Sequence, residues 1–321
     1  MRSLRPGITG AGAREERKTV LQIVQTALEL GFQYALVAMA LFLSYRILDI
    51  ADLTTDGSFV LGAAVSVTLT AAGHPILAIP AAMAAGACAG FVTAFLQTRL
   101  GVPSILAGII TNTGLYTVNL MAMGWKSNAS LLRADTVFTL LRAAGVGGEW
   151  YELLLSACIM AAAGALLWLF LGTRLGLSIR ATGDNRDMVR SSSVNPAFTV
   201  TVGLCLANAL TGLSGAVVGQ YQKTVDTNMG AGIVVIGLAC LIIGETVVGR
   251  GGIGRGILAV MAGSVVYRFI YAAVLNTRIV PIECLKLVTA LVVALAIAAP
   301  AIKSGVMFQK RRLAAGRRGA C

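Results

Sequence analysis

The chain has 321 residues, of which 57% are hydrophobic and only 12% are charged. Soluble domains carry about 25% charged residues, and a single soluble core stops growing near ~250–300 residues, so the composition argues against a soluble globule. The net charge of +12 comes from Lys and Arg scattered at loop ends and in the tails, a distribution typical of membrane proteins, so we expect no nucleic-acid partner. A single His and the absence of a CxxC pattern argue against zinc, catalytic-triad or disulfide chemistry.

Apolar segments of membrane-spanning length follow one another along most of the chain. Small residues crowd them, most densely over 81–90, and such residues let membrane helices approach closely. We therefore expect an all-α polytopic membrane protein, with about 8–10 transmembrane helices in one compact bundle. The nine candidate segments are 27–48, 57–72, 75–98, 102–123, 152–172, 197–220, 232–248, 257–275 and 284–301.

Both ends of the chain are polar and basic. Residues 1–18 lack the apolar stretch of a signal peptide and predict a mobile basic tail. We expect residues 19–302 to form the transmembrane domain and residues 303–321 to form a basic cytoplasmic tail. The bias of Lys and Arg places the polar segment 173–196 and the C-terminal tail inside. Nine crossings would then leave the N-terminal tail outside, unless the region 19–57 holds an extra or re-entrant piece. The sequence leaves both possibilities open.

The first polar interruption lies between the first two apolar segments. Acids inside a membrane are costly and mark functional sites, and an acidic break between apolar runs is typical of transporter cores. We expect a broken helix near residues 49–57 that lines the translocation pathway. An acidic cytoplasmic turn, with Thr54 or Thr55 capping the next helix, stays open as the alternative. The pathway residues predicted here are Asp49, Asp52, Thr54, Thr55 and Asp56.

The fourth apolar segment carries Asn112, Thr113 and Asn119. A spacing of seven residues puts the two Asn side chains on one helix face. Such a face either lines a substrate path or forms interhelical hydrogen bonds, which are worth ~0.6 kcal/mol on average in membrane proteins. We assign the three residues to the translocation pathway.

The longest predicted cytoplasmic loop, 173–196, mixes charges of both signs around Gly183. We expect this glycine to permit a turn conformation that a β-carbon would strain. The loop is either a docking element for a partner protein or a solvated connector. Its central residues are Arg180, Ala181, Thr182, Gly183, Asp184 and Asn185.

A glycine-rich run at 249–254 matches the pattern G-x-G-x-x-G. A dinucleotide site needs a preceding strand and a βαβ unit, whereas membrane helices flank this run. It predicts a tight cytoplasmic turn.

Three of these elements together resemble the permease subunits of bacterial ABC importers, in the family shared by branched-chain amino-acid and ribose-type permeases. They are TTDGSFVLGA at 54–63, RATGDN at 180–185 and GLACLIIGETVVGRGGIGRG at 237–256. The resemblance extends over roughly 20–302. The segment LTTDGSF at 53–59 resembles that of a subgroup tied to tryptophan or tyrosine uptake. The chain lacks the extra N-terminal span of ribose-type members, which would account for the side of its N-terminus.

The resemblance implies a multi-pass transport subunit of the bacterial inner (cytoplasmic) membrane that moves a small polar solute, an amino acid being favoured. A periplasmic solute-binding protein or lipoprotein would deliver the solute, and two copies of the chain, a homodimer, would form the pore. Cytoplasmic ABC ATPases would hold ATP and Mg²⁺, because no Walker A motif occurs in the sequence. The chain itself would be no enzyme, would carry no cofactor or metal, and would couple to the ATPase through residues 180–185.

An ion-coupled secondary transporter is the alternative, with Asp49, Asp52 or Asp56 as ligands for a proton or sodium ion. The amino-acid composition is compatible with both kinds of transporter. Uptake that survives ATP depletion and collapses with an uncoupler would identify the secondary transporter.

Overall fold

In this computed structural model the chain is described from residue 8 to residue 276, without residues 132, 133, 146, 147 and 250, and at a few helical positions between 287 and 298. The ninth predicted segment, 284–301, lies almost wholly outside the described residues, and the predicted tail 303–321 lies entirely outside them. Helix α1 begins at Ile8, so the described part of the predicted mobile tail is helical.

The described residues form eleven α-helices and one two-stranded ribbon, in which β1 pairs antiparallel with β2. The α-helices are α1 Ile8–Leu41, α2 Thr55–Ala71, α3 Pro75–Thr98, α4 Ser104–Ala122, α5 Val137–Ala143, α6 Tyr151–Gly172, α7 Arg174–Asp184, α8 Arg186–Ser191, α9 Pro196–Gln222, α10 Ile233–Val248 and α11 Ile253–Asn276. The strands are β1 Asn128–Ser130 and β2 Thr224–Asp226. A π-helical turn, Phe42–Ile47, extends α1, and a 3₁₀ turn, Gly148–Trp150, precedes α6.

Six of these helices are long and apolar enough to cross a membrane, and two shorter apolar helices, α2 and α10, complete the set. Each of the first eight predicted apolar segments coincides with one of these eight helices. The prediction of an all-α polytopic membrane protein is confirmed. The long helices are α1 with its π turn (Leu21–Ile47), α3, α4, α6, α9 and α11.

Helix α9 lies at the centre of the bundle, where glycines set the distance to its neighbours. A β-carbon on Gly62 of α2 would overlap the backbone of Gly212, and one on Gly86 or Gly90 of α3 would overlap carbonyl groups of α9. These close approaches bury α9 between α2, α3 and α1. The small residues of the sequence therefore pack helices against each other, as expected in a membrane bundle.

The chain leaves helical geometry between the π turn and α2, over residues 48–54. Asp49 has a left-handed backbone with φ 54°, and the backbone NH of Ile50 donates to the carbonyl of Ser44 at 2.9 Å. The broken helix predicted near residues 49–57 is thus a break of seven residues that ends at Thr54.

The two ends of the bundle carry different structures. At one end Arg46 Nε pairs with Glu245 Oε1 at 2.9 Å, joining the end of α1 to the end of α10, and α7 packs against the carbonyl of Ile47. Helix α9 starts there and runs about 40 Å to the β1–β2 ribbon at the other end. The first end contains the segment 173–196, which the distribution of Lys and Arg assigns to the cytoplasm.

Candidate translocation site and coupling helices

Asp56 connects the beginnings of two short helices. It lies in the first turn of α2, and its carboxylate accepts hydrogen bonds from the backbone NH groups of Gly232 at 3.2 Å and Val234 at 2.9 Å. It therefore caps α10, where a carboxylate also interacts favourably with the helix dipole. The backbone at Gly230 lies so close to that of Asp56 that a β-carbon on Gly230 would overlap the carbonyl of Asp56.

Helices α2 and α10 run from Asp56 toward opposite ends of the bundle. With 17 and 16 residues, each is about 25 Å long, shorter than the ~30 Å hydrocarbon core of a bilayer. Neither helix spans the core alone. Asp56 consequently lies at an interior junction of the kind that forms substrate sites in transporters with discontinuous helices.

A cavity of about 260 Å³ opens beside Asp56, between α2, α4 and the segment before α10. It brings together four of the residues predicted for the translocation pathway: Asp56, Asn112, Thr113 and Asn119. The sequence analysis did not single out its other polar residues. Those are Tyr116, Thr227 and Asn228.

Asn119 gives this cavity an unused hydrogen-bond acceptor. The residue is 3% exposed, and its Nδ2 donates to the carbonyl of Gly57 at 3.3 Å. Its Oδ1 is buried and has no hydrogen-bond partner among the described residues. Buried polar atoms are nearly always paired in native proteins. An unpaired acceptor on a residue that lines the same cavity as Asp56 therefore favours a ligand that donates hydrogen bonds.

Asp52 occupies a different environment, sealed inside the bundle. It is 2% exposed; its Oδ1 accepts from the backbone NH of Thr54 at 2.9 Å and its Oδ2 accepts from Asn208 Nδ2 at 2.7 Å. Asn208 Oδ1 in turn accepts from the Ser58 hydroxyl at 2.7 Å. Both carboxylate oxygens are thus hydrogen-bonded, and the network fastens α2 to the central helix α9.

The neighbouring threonines belong to the same buried layer. Thr54 Oγ1 lies 2.7 Å from Thr93 Oγ1 of α3, and Thr55 Oγ1 donates to the carbonyl of Asp52 at 3.2 Å. The alternative in which a threonine side chain caps α2 is wrong, because Thr54 makes no side-chain cap bond and Asp52 accepts the Thr54 NH instead.

The structure therefore separates the predicted pathway residues into a group that lines the cavity, a buried group behind it and one exposed acid. Asp56, Asn112, Thr113 and Asn119 line the cavity. Asp52, Thr54 and Thr55 are buried in the network behind it. Asp49 is exposed beside the π turn.

Two further ionisable residues are buried in membrane-spanning helices. Glu29 of α1 is 2% exposed and accepts from the Tyr221 hydroxyl at 2.8 Å and from Gln25 Nε2 at 2.9 Å. Arg268 of α11 is 8% exposed and stacks over the ring of Tyr34. The sequence analysis did not name either residue, although a lone charge within an apolar segment is itself a signal of a site.

The predicted coupling loop is helical over most of its length, as α7 and α8. Thr182 is buried and its hydroxyl lies 2.7 Å from that of Thr199 on α9. Gly183 lies inside α7 without a positive φ, so the predicted turn conformation at Gly183 is wrong. Its lack of a side chain instead allows α7 to touch the carbonyl of Ile47 at the start of the break.

Asn185 makes the corner between α7 and α8. Its backbone is extended, with φ −159° and ψ 106°, and its Oδ1 accepts from the NH groups of Asp187 and Met188, both at 3.0 Å. Arg180 and Ala181 are half-buried, whereas residues 184–188 are exposed. Met188 is 65% exposed, so the corner presents an apolar side chain among charges.

Comparison with known proteins places this architecture in a family. Residues 23–298 match the family described as "Branched-chain amino acid transport system / permease component". The chain is 33% identical over 260 residues to a protein of Clostridioides difficile (strain R20291) named "Tyrosine transport system permease protein", covering 81% of this chain and 85% of that one. It is also 32% identical over 231 residues to an uncharacterized protein of Rickettsia prowazekii (strain Madrid E), covering 71% of this chain and 78% of the relative.

A solved structure has a related fold. It is a metal-chelate type ABC transporter in an inward-facing conformation, with a TM-score of 0.50 and 16% identity over 94% of this chain and 92% of the other. At this identity the likeness concerns the fold alone. The family match extends over most of the chain, including the break, the cavity and helices α7 and α8. The chain therefore belongs to the branched-chain amino acid transport system permease family, and it is the multi-pass membrane permease of an ABC transporter whose ATP is hydrolysed by a separate ATPase subunit.

Proposed function

We propose that this permease belongs to an importer that moves an amino acid, delivered by a periplasmic binding protein or lipoprotein, and that the cavity beside Asp56 lies on the path of the solute. The observation that carries the proposal is that one cavity is lined by Asp56 and by Asn119, whose Oδ1 is buried and unpaired among the described residues, at the junction of two helices that each cross part of the bilayer. The name of the tyrosine transport relative supports an amino acid as the solute.

The chemistry of the cavity suits the ammonium group of an amino acid. Ammonium donates up to three hydrogen bonds, and the cavity offers the acceptors Asn119 Oδ1 and Asp56. Asp56 already accepts two backbone NH groups, yet a carboxylate has about four lone-pair sites and keeps its negative charge available. A charge-assisted bond of this kind is stronger than a neutral one, so the solute needs few contacts.

We propose further that a second copy of the chain completes the pathway. Thr113 and Tyr116 of the cavity are exposed on α4, with Tyr116 53% exposed. A path between two permeases related by a twofold axis would cover this face. Each copy would then contribute one Asp56 cavity to a common route.

The corner at Asn185 is the proposed contact with the ATPase. Asp184, Arg186 and Met188 are exposed there, while Thr182 and Gly183 fix α7 to α9 and to the end of α1. A movement of the corner would therefore act directly on the break at 48–54 and on α2. Rigid elements joined at a break can switch between two arrangements in this way.

Transport measurements test the proposal. Proteoliposomes that contain the permease and its ATPase should take up labelled tyrosine or another amino acid only with ATP and the binding protein, and an uncoupler should leave uptake intact. Asn119→Ala should reduce uptake, whereas the control Asn128→Ala, an exposed Asn of β1, should not. Uptake that persists without ATP and collapses with the uncoupler would support an ion-coupled transporter instead.

A further inference from the structure

Arg268 is a buried cation that the proposed transport path does not use. It lies on the membrane-spanning helix α11, is 8% exposed, and its Nε is buried without a hydrogen-bond partner. The ion pair found among the described residues joins Arg46 to Glu245, and Glu29 is engaged by Tyr221 and Gln25. No carboxylate of the described residues lies within salt-bridge distance of Arg268.

Two tyrosines supply the contacts that Arg268 does make. Its guanidinium carbon lies 3.7 Å from the ring centroid of Tyr34 and 5.7 Å from that of Tyr271. Cation–π contacts stabilise a cation without neutralising it. An unpaired charge in a membrane helix is costly, so an anion that the described residues do not supply would complete this arrangement.

A cavity of about 390 Å³ lies at this arginine, between α1 and α11. Its polar lining consists of Arg268, Gln22, Thr26 and Tyr271, and its apolar lining includes Ile23 and Leu275. Gln22 and Thr26 are exposed, and Leu275 is 41% exposed, so the mouth of the cavity reaches the outer surface of two membrane-spanning helices. All lining residues that the structure describes belong to α1 and α11, two helices of membrane-spanning length.

We propose that this cavity binds the headgroup phosphate of an anionic membrane phospholipid, with Arg268 as its charge partner. Arginine matches phosphate geometry well, and basic pockets between transmembrane helices are suited to lipid headgroups. Gln22 and Thr26 at the mouth provide further hydrogen-bond donors, and Leu275 contacts an acyl chain. The lipid would hold α11 against α1 on the side of the bundle away from the Asp56 cavity.

Lipid titration of the purified permease–ATPase complex tests this assignment, with native mass spectrometry as the readout. Phosphatidylglycerol should bind the wild type, and Arg268→Gln should weaken that binding about tenfold, as expected for loss of a charge-assisted hydrogen bond. Arg255→Gln is the matched control, because Arg255 is an exposed arginine on the same helix; it should bind phosphatidylglycerol like the wild type. Arg268→Lys, which keeps the charge, should retain part of the binding.

Four results would overturn the assignment. Equal phosphatidylglycerol binding by the wild type and Arg268→Gln would remove Arg268 from any lipid site. Displacement of the lipid effect by millimolar inorganic phosphate would identify a soluble anion as the occupant. Higher thermal stability of Arg268→Gln than of the wild type in phosphatidylglycerol nanodiscs would show an empty site, because removal of an unpaired buried charge is stabilising. If Arg268→Gln fails to fold, loss of all lipid binding in the folded Arg268→Lys protein would contradict the proposal as well.

Discussion

Asp52 and Asp56 lie four residues apart, yet they have opposite surroundings. Asp52 is enclosed by Thr54, Asn208 and the hydroxyls around them, and it is 2% exposed. Asp56 holds the first turn of α10 and also borders a cavity that contains an unpaired acceptor. An acid in a membrane bundle can therefore hold helices together, as Asp52 does, or border a space that a ligand could enter, as Asp56 does. The difference is whether a cavity and unpaired polar groups remain beside the carboxylate.

Removal of the Asp52 carboxylate should have the largest effect on the folded protein. Asp52→Ala leaves the buried Thr54 NH without its acceptor and leaves Asn208 Nδ2 with the Leu204 carbonyl alone, at a cost of about 1–3 kcal/mol for each lost bond. We expect a sharp loss of monodisperse permease in detergent and a lower thermal unfolding temperature. Asp49→Asn, at an exposed acid whose left-handed backbone Asn also tolerates, is the control and should behave like the wild type. An Asp52→Ala protein with normal stability but no transport would turn Asp52 into a pathway residue.

The corner at Asn185 between α7 and α8 allows a second test of this comparison, because α7 contacts the start of the break. The break contains Asp52 and precedes Asp56. The double variant Asp184→Arg with Met188→Glu changes two exposed side chains, so its stability should change by no more than about 0.5 kcal/mol. We expect co-purification of the ATPase and uptake to be lost together. A control with Lys223→Glu, exposed at the opposite end of α9, should keep both. Undiminished pull-down and uptake in the double variant would refute the coupling role of the corner.

Asp56→Asn separates the two roles of Asp56. Asn keeps one acceptor oxygen for the Val234 NH and loses the acceptor of the Gly232 NH, so the variant should still fold, with an unfolding free energy lower by about 1–3 kcal/mol. Loss of the charge should nevertheless lower uptake about tenfold, if the carboxylate meets the ammonium group of the solute. Thermal unfolding and initial uptake rates at matched expression measure the two effects. Wild-type uptake by this variant would leave Asp56 with a structural role alone.

The smallest effect concerns Asn119. Asn119→Ala removes one neutral acceptor, worth about 1 kcal/mol, and should raise the apparent KM for the solute several-fold with little change in maximal rate. The exposed Asn128→Ala of β1 again serves as the control. A change in maximal rate alone would indicate that Asn119 acts on the packing of α2 and α4 rather than on the solute.

The sequence predicts the eight apolar helices and the break well, because apolar length and polar interruption are local properties. It could not assign the two acids, since their partners are remote: Asn208 meets Asp52 across 156 residues, and Val234 meets Asp56 across 178. Only the packing of α2 against α9 and α10 decides which acid is enclosed.

Gly183 illustrates a second limit of sequence reasoning. A glycine among charges is equally compatible with a turn and with a close helix contact, and the approach of Ile47 from more than a hundred residues away decides in favour of the contact. Arg268 and Glu29 are different, because their signal was present as single charges within apolar segments. The sequence could not show that Glu29 has hydrogen-bond partners, whereas Arg268 Nε has none among the described residues.

Cysteine accessibility tests the division between the two acids most directly. In a cysteine-free background, single cysteines at Thr113 and Asn228 of the cavity and at Thr54 and Thr55 of the buried layer would be exposed to a membrane-impermeant thiol reagent, with and without ATP. Thr54 and Thr55 are 0% and 3% exposed, so we expect no labelling there in either state, whereas labelling at 113 and 228 should change with nucleotide. Nucleotide-dependent labelling at 54 or 55, together with silent positions 113 and 228, would contradict the account.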